Sequence, residues 1–192
     1  TVVQKCAIPI CLVRKLQKRA ISAPIFTLYL GVDLDLAQMG FDGALVHYYP
    51  TIRKNPWEEK NVEGFDIEQE KMAIRMDSIE NPMLAPIGKH TVAIAAFAPY
   101  ELFTDGGNTN SHYAEIKEEI AQKIIGITEK VIPGLSSHIM VRDASTPLTY
   151  ERMTLNTHGA TMGWYLSAKE LARIRSQKTP IANLYQAGHW TF

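Results

Sequence analysis

The side chains of this 192-residue chain best equipped to move protons, hold a metal or attack an electrophile are six histidines, two cysteines and twenty acidic residues. Their spacing organises none of them into a site. His47, His90, His112, His138, His158 and His189 show no metal-ligand spacing, so each is expected at the surface or as a satisfied histidine of the core. Cys6 and Cys11 have no second Cys/His pair nearby and sit among Ile, Leu and Val, which predicts buried free thiols rather than a zinc site. No carboxylate pair stands out for acid–base work. Gly-x-Gly-x-x-Gly, Gly-x-x-x-x-Gly-Lys-Ser/Thr, His-Glu-x-x-His and Gly-x-Ser-x-Gly are all absent. The unusual stretch is Pro147–Trp164, which combines Tyr150, the adjacent charges Glu151 and Arg152, and the glycines Gly159 and Gly163. A Gly-rich segment lets backbone approach something flat or bulky; read plainly, it is a loop.

The elements that must position these residues are legible from periodicity. Ile10–Ala20 carries Leu12, Val13, Leu16 and Ala20 on one stripe with Arg14, Lys15, Lys18 and Arg19 opposite, which predicts a helix. Ile25–Leu36 alternates Phe26, Leu28, Leu30 and Val32 with Thr27, Tyr29, Gly31 and Asp33, a strand with one buried face. Further strands are expected at Ala44–Tyr49, Met72–Asp77, Thr91–Ala98 and Ile139–Asp143, and a last one at Asn183–Ala187. Thr91–Ala98 is nearly all apolar and reads as a central strand covered on both faces, where a charge at Ile94 or Phe97 would be among the worst changes. Asn55–Pro56 starts like a short helix, and Leu166–Ser176 also reads as helical. The clearest helix is Ser111–Val131, whose stripe Ile116, Ile120, Ile124, Ile127 and Val131 should face the sheet until Pro133–Gly134 ends it. Thr146–Pro147 leads into a short helix over Leu148–Met153. Together these predict an α+β fold, a largely antiparallel mixed sheet covered by helices.

Hydrophobic residues make up 46% and charged residues 21% of a chain with zero net charge. This is ordinary globular composition, and it excludes the basic excess of a nucleic-acid binder. No acidic residue precedes Asp33, whereas Lys5, Arg14, Lys15, Lys18 and Arg19 do. That segment is a solvated helix face or a peripheral contact with anionic lipid headgroups. No apolar run reaches the roughly 20 residues of a spanning helix, no signal peptide or glycosylation sequon is visible, and a cytoplasmic setting is the default. The chain begins at Thr1 and stops at Phe192 just after an apolar run, so both ends are expected to be cuts in a longer frame.

Four stretches in order resemble one family. Thr179–Phe192, with Asn183-Leu184-Tyr185, then Ala187-Gly188, then His189-Trp190, resembles a C-terminal motif of the phytoene desaturase, carotenoid isomerase and retinol saturase group of the FAD-linked amine oxidase-like superfamily. Ser22–Asp33, Ser78–His90, and Thr146–Arg152 with Gly159-Ala160 resemble three other segments of that group. The family's nucleotide-binding Gly-x-Gly-x-x-Gly and its C-terminal Gly-rich segment have no counterpart here. The resemblance therefore implies the substrate-binding domain of an FAD-dependent oxidoreductase over residues 1–182. Residues 183–192 would begin the strand that returns to an FAD-binding domain, and a chain of this extent would not hold FAD stably.

The chemistry implied is desaturation, saturation or isomerisation of an apolar, carotenoid- or retinoid-like polyene, with the flavin performing the hard step. By the same resemblance Gly188, His189 and Trp190 would lie nearest the flavin, and Tyr150, Arg152, Gly159 and Trp164 would bind substrate. The aliphatic strand faces, with Met72, Met76 and Phe97, would line an apolar channel or simply form core. Two other readings compete: a flavin amine oxidase-like enzyme, and a standalone lipid- or protein-binding module. No metal is expected, and the oligomeric state is open.

Overall fold

The computed structural model describes residues 10–51, 62–165, 177–179 and 181–191. The helix expected from Asn55, the helix expected at Leu166–Ser176, Cys6 and the side chain of Cys11 lie outside what is described. The chain divides into two compact units, residues 24–159 and a smaller unit built from residues 1–23 and 160–192.

In chain order the elements are α1 (Ile10–Gln17), β1 (Ile25–Val32), β2 (Leu45–Tyr48), β3 (Met72–Arg75), α2 (Asp77–Glu80), β4 (His90–Phe97), β5 (Thr104–Asp105), β6 (Asn108–Thr109), α3 (Tyr113–Thr128), β7 (Ile139–Ser145) and α4 (Pro147–Thr154). Short 3-10 turns fill several connections. The expected α+β class holds, and every strand pairing is antiparallel.

The larger unit is a five-stranded sheet in the order β2-β3-β4-β1-β7. β4 lies at its centre, as its apolar run predicts. Period-2 alternation sends Phe26, Leu28, Leu30 and Val32 of β1, Met72 and Ile74 of β3, and Val92, Ile94 and Ala96 of β4 to one fully buried face. Ile120, Ile124 and Ile127 of α3 are buried in the same core, with Ile116 and Val131 at its margin, so the predicted stripe does face the sheet. Glu129 then fixes the end of the helix: its carboxylate accepts hydrogen bonds from the Gly134 and Ser136 N–H groups, at 2.6 and 2.8 Å, and from the Ser136 hydroxyl.

Several expectations need correcting. β4 is not covered equally on both faces: Thr91, Ala93, Ala95 and Phe97 are only half-buried. An all-apolar run hid this because alanine is hydrophobic enough to suit either side. Of the two alternatives for Met72 and Met76 the core one holds, since they are 1% and 0% exposed. Between β5 and β6 the chain makes a tight hairpin, with Gly106 and Gly107 both at positive φ, as a primed turn requires. No strand forms over Asn183–Ala187. Asn183 adopts a left-handed conformation (φ 61°), the Thr179 hydroxyl donates to the Leu184 carbonyl at 2.8 Å, and the segment keeps a single bridge between Lys178 and Tyr185. A strand needs a partner strand, and among the described residues this one has only that bridge.

Candidate functional site

Within the larger unit the sheet face opposite the core is assembled by register. One row across the strands reads His47, Ala73, Ala95, Thr27, Ser145; the next reads Leu45, Arg75, Ala93, Tyr29, Asp143. Gly31 pairs with Thr91 one row further on. The middle of the face is thus lined by Ala73, Ala93, Ala95 and Gly31, which carry a methyl group or nothing. The strip runs along β4 for roughly 20 Å at about 3.4 Å per residue. Phe97, its ring edge-on to Phe65 at 6.2 Å, closes one end, and Tyr29 stands at one flank.

α4 supplies the polar groups. Thr146 caps it and reciprocates with Thr149 in a capping box, while Pro147 at its first position has no N–H to leave unsatisfied. This puts Tyr150 one turn in, where its hydroxyl lies 2.7 Å from the Thr27 hydroxyl and 3.4 Å from that of Tyr29. Burial pushes the Tyr150 phenol up to about 12. Glu151, the next residue, accepts from the Tyr100 hydroxyl at 2.6 Å and from the His158 N–H at 2.9 Å. The His158 ring stacks on Tyr100 with centroids 4.6 Å apart. Burial, followed by the Glu151 contact, raises Tyr100 to about 12. Leu155 and His158 are left-handed, at φ 59° and 52°, and turn the chain back so that Gly159 meets the Pro147 carbonyl, where a Cβ would collide. Arg152 is exposed and forms no ion pair with a described residue. Tyr150 therefore stands at the sheet face, Gly159 serves a backbone contact, and Arg152 is exposed on α4.

The smaller unit gathers Trp164, His189 and Trp190. Residues from the two ends of the chain meet through the Ile21–Trp164 bridge and the Ser22 N–H bond to the Gly163 carbonyl at 2.8 Å. The Trp164 indole N–H donates to the Trp190 carbonyl at 2.9 Å, and the two rings are edge-to-face at 4.8 Å. The Arg19 guanidinium lies over Trp164, 4.7 Å from the ring centroid. Gly163 is needed at φ 78° because a Cβ there would strike the His189 carbonyl. Gly188, at φ 100°, has open space around its missing side chain.

FAD is the cofactor that the resemblance implies, and these residues fit only part of it. Gly188 gives open backbone beside the aromatic pair, as a flat ring system needs. No Gly-x-Gly-x-x-Gly is present to receive a pyrophosphate at a helix N-terminus. Among the described residues no three His, Cys, Asp or Glu side chains converge as metal ligands, and no helix is long and apolar enough to cross a membrane.

In the larger unit Thr27, Tyr29, Tyr100 and His158 make these contacts without having been named as site candidates from the sequence; in the smaller unit the same is true of Arg19. The available signal was alternation: Thr27, Tyr29 and Gly31 share one phase of β1, and Ala93 and Ala95 share one phase of β4.

No known protein-family model matches the chain. It is 32% identical over 111 residues to an all-trans-retinol 13,14-reductase of Danio rerio, covering 53% of this chain and 18% of that protein. It is 26% identical over 145 residues to a chloroplastic prolycopene isomerase of Daucus carota and 28% identical to that of Arabidopsis thaliana, each match covering 74% of this chain and 22% of the relative. The chain thus spans about a fifth of the length of these curated relatives. An oxidoreductase from Methanosarcina mazei shares the fold, with a TM-score of 0.50 at 14% identity over 94% of this chain and 32% of that one. These similarities bear out the resemblance carried by the four sequence stretches: the chain is similar to proteins of the phytoene desaturase, carotenoid isomerase and retinol saturase group.

Proposed function

We propose that the chain is the substrate-domain portion of an FAD-dependent oxidoreductase or isomerase, and that the outer sheet face takes an apolar polyene. One observation carries the reading: in a protein similar to a retinol reductase and prolycopene isomerases, the half-buried face is lined by Ala73, Ala93, Ala95 and Gly31 and bounded by Phe97 and Tyr29. Small side chains let an elongated, flat ligand lie close to the sheet, and aromatic flanks cover it from water. A cleft of about 400 Å³ beside α3 is a poorer candidate, since Glu68, Lys123 and Lys130 give it a charged lining.

A bound flavin would supply hydride exchange with a polyene carbon. This chain's own residues would bind and orient the polyene and exclude water. The flavin part of the reading is checked by the absorbance spectrum of protein purified from the whole reading frame, where an absent flavin band contradicts it.

The platform is tested in the 192-residue chain with Ala95→Trp, which fills the centre of the face. Titrated with a C20 polyene hydrocarbon and followed by polyene absorbance, wild type should bind, and the variant should lose affinity tenfold or more, a loss of about 1.4 kcal/mol or more. Equal affinities at unchanged Tm would contradict the platform.

A further inference from the structure

Exposed apolar side chains need no explanation when they are scattered. One stretch of the larger unit gathers them. Met83 is 93% exposed, Leu84 51% and Ile87 wholly so, all within five consecutive residues. Asn81–Gly88, which contains them, carries no charged residue.

The loop that displays them is tied at both ends. Ser78 of α2, 2% exposed, accepts from the Thr91 N–H at 3.0 Å and lies 3.0 Å from His90 Nδ1. Between those ties the backbone bonds are met largely from within. The Asn81 side chain accepts from the Met83 N–H at 3.2 Å, and the Asn81 and Pro82 carbonyls accept from Leu84 and Ala85. The Pro86 carbonyl accepts from Lys89 at 2.9 Å across a turn in which Gly88 takes φ 72°. Pro82 and Pro86 have no N–H to satisfy. Of the N–H groups from Asn81 to Lys89, only those of Ile87 and Gly88 are left to outside acceptors.

That accounting decides what covers the loop. A protein partner supplies donors and acceptors, but hydrocarbon supplies none, so a segment entering lipid must bring its backbone bonds with it. A fixed loop with apolar tips meets that demand and loses little freedom on insertion. Charge agrees. Lys89 faces Asp33 at 3.8 Å and Arg75 pairs with Asp77 at 3.0 Å, so the flanks hold no surplus of positive charge for anionic headgroups.

We propose that Met83, Leu84 and Ile87 form a wedge by which the larger unit inserts shallowly into the interface of a zwitterionic lipid bilayer. The contact is separate from the basic N-terminal segment, which would seek anionic headgroups. It does not rest on the platform reading. β4 begins at His90, so the wedge stands at the Thr91 end of the alanine strip, opposite Phe97.

Flotation of the 192-residue chain with phosphatidylcholine vesicles tests this. Wild type should float, equally well at low and high salt. Met83→Ser combined with Ile87→Ser should weaken partitioning about tenfold or more at unchanged Tm, since it removes two large apolar side chains from lipid. Met153→Ser, at an exposed methionine elsewhere in the same unit, should float like wild type. No flotation of wild type, or equal flotation of wild type and the double variant, refutes the wedge. Binding that requires phosphatidylserine and vanishes in high salt assigns the contact to the basic segment and refutes it too. A wild-type dimer that the double variant dissociates, with neither protein floating, means that a second copy covers the loop instead.

Discussion

At the scale of single residues, backbone constraint rather than charge marks the important positions. Gly159 sits at φ 66° against the Pro147 carbonyl, and Gly163 at φ 78° against the His189 carbonyl, so each pins a turn that no L side chain fits. Gly159→Ala should destabilise the larger unit by about 2–4 kcal/mol, because it adds left-handed strain to a backbone collision. Chemical denaturation measures this directly, and a change under 0.5 kcal/mol would show that the α4 turn relaxes freely. Gly188→Ala, with open space around the site, should cost only the left-handed penalty, about 1 kcal/mol. The sequence showed that these glycines were concentrated near the C-terminal end. It did not show which carbonyl each one faces, because that contact joins residues twelve to twenty-six positions apart.

At the scale of elements, the two phases of β4 have different duties. Ile94 is 0% exposed at the middle of the central strand, while Phe97 is half-buried on the outer face. Ile94→Asp places an unpaired carboxylate in the core and should prevent folding; Phe97→Asp should fold with a lowered Tm. The ratio of soluble yields and the two melting curves decide it. Equal damage from both would mean that the outer face is as deeply buried as the core. Helices and strands were largely legible: α1, α3, α4 and five of the strands follow from periodicity and from the Thr146–Pro147 and Pro133–Gly134 punctuation. The errors have physical causes. Alanine on the outer phase of β4 imitates a buried strand. The run Asn183–Ala187 has strand-forming residues but only Lys178 to bridge to among the described residues, so turn chemistry at Thr179 and Asn183 prevails.

At the scale of the whole molecule, the site residues expected from the sequence fall into both compact units. Tyr150, Arg152 and Gly159 lie in residues 24–159, whereas Trp164, Gly188, His189 and Trp190 belong to the unit formed by the chain's two ends. The second group is aromatic and hydrogen-bonded around Trp164; the first is a hydroxyl cluster on a sheet face. A sequence reading finds such groups as neighbours along the chain. It does not find Thr27 and Tyr29 beside Tyr150, more than 120 positions away, because pairing of β1 with β7 is what brings α4 to that face. On the proposed function this outer face, and not the core or the charged cleft by α3, takes a polyene. A titration of the chain carrying ¹³C-methyl alanine with the C20 polyene hydrocarbon, read by methyl NMR, decides this. The account predicts that Ala73, Ala93 and Ala95 shift, while Ala96, Ala98, Ala121 and Ala144, which are buried on the core side, stay in place. Shifts confined to Ala121 on α3, or none at all at saturating polyene, would contradict it.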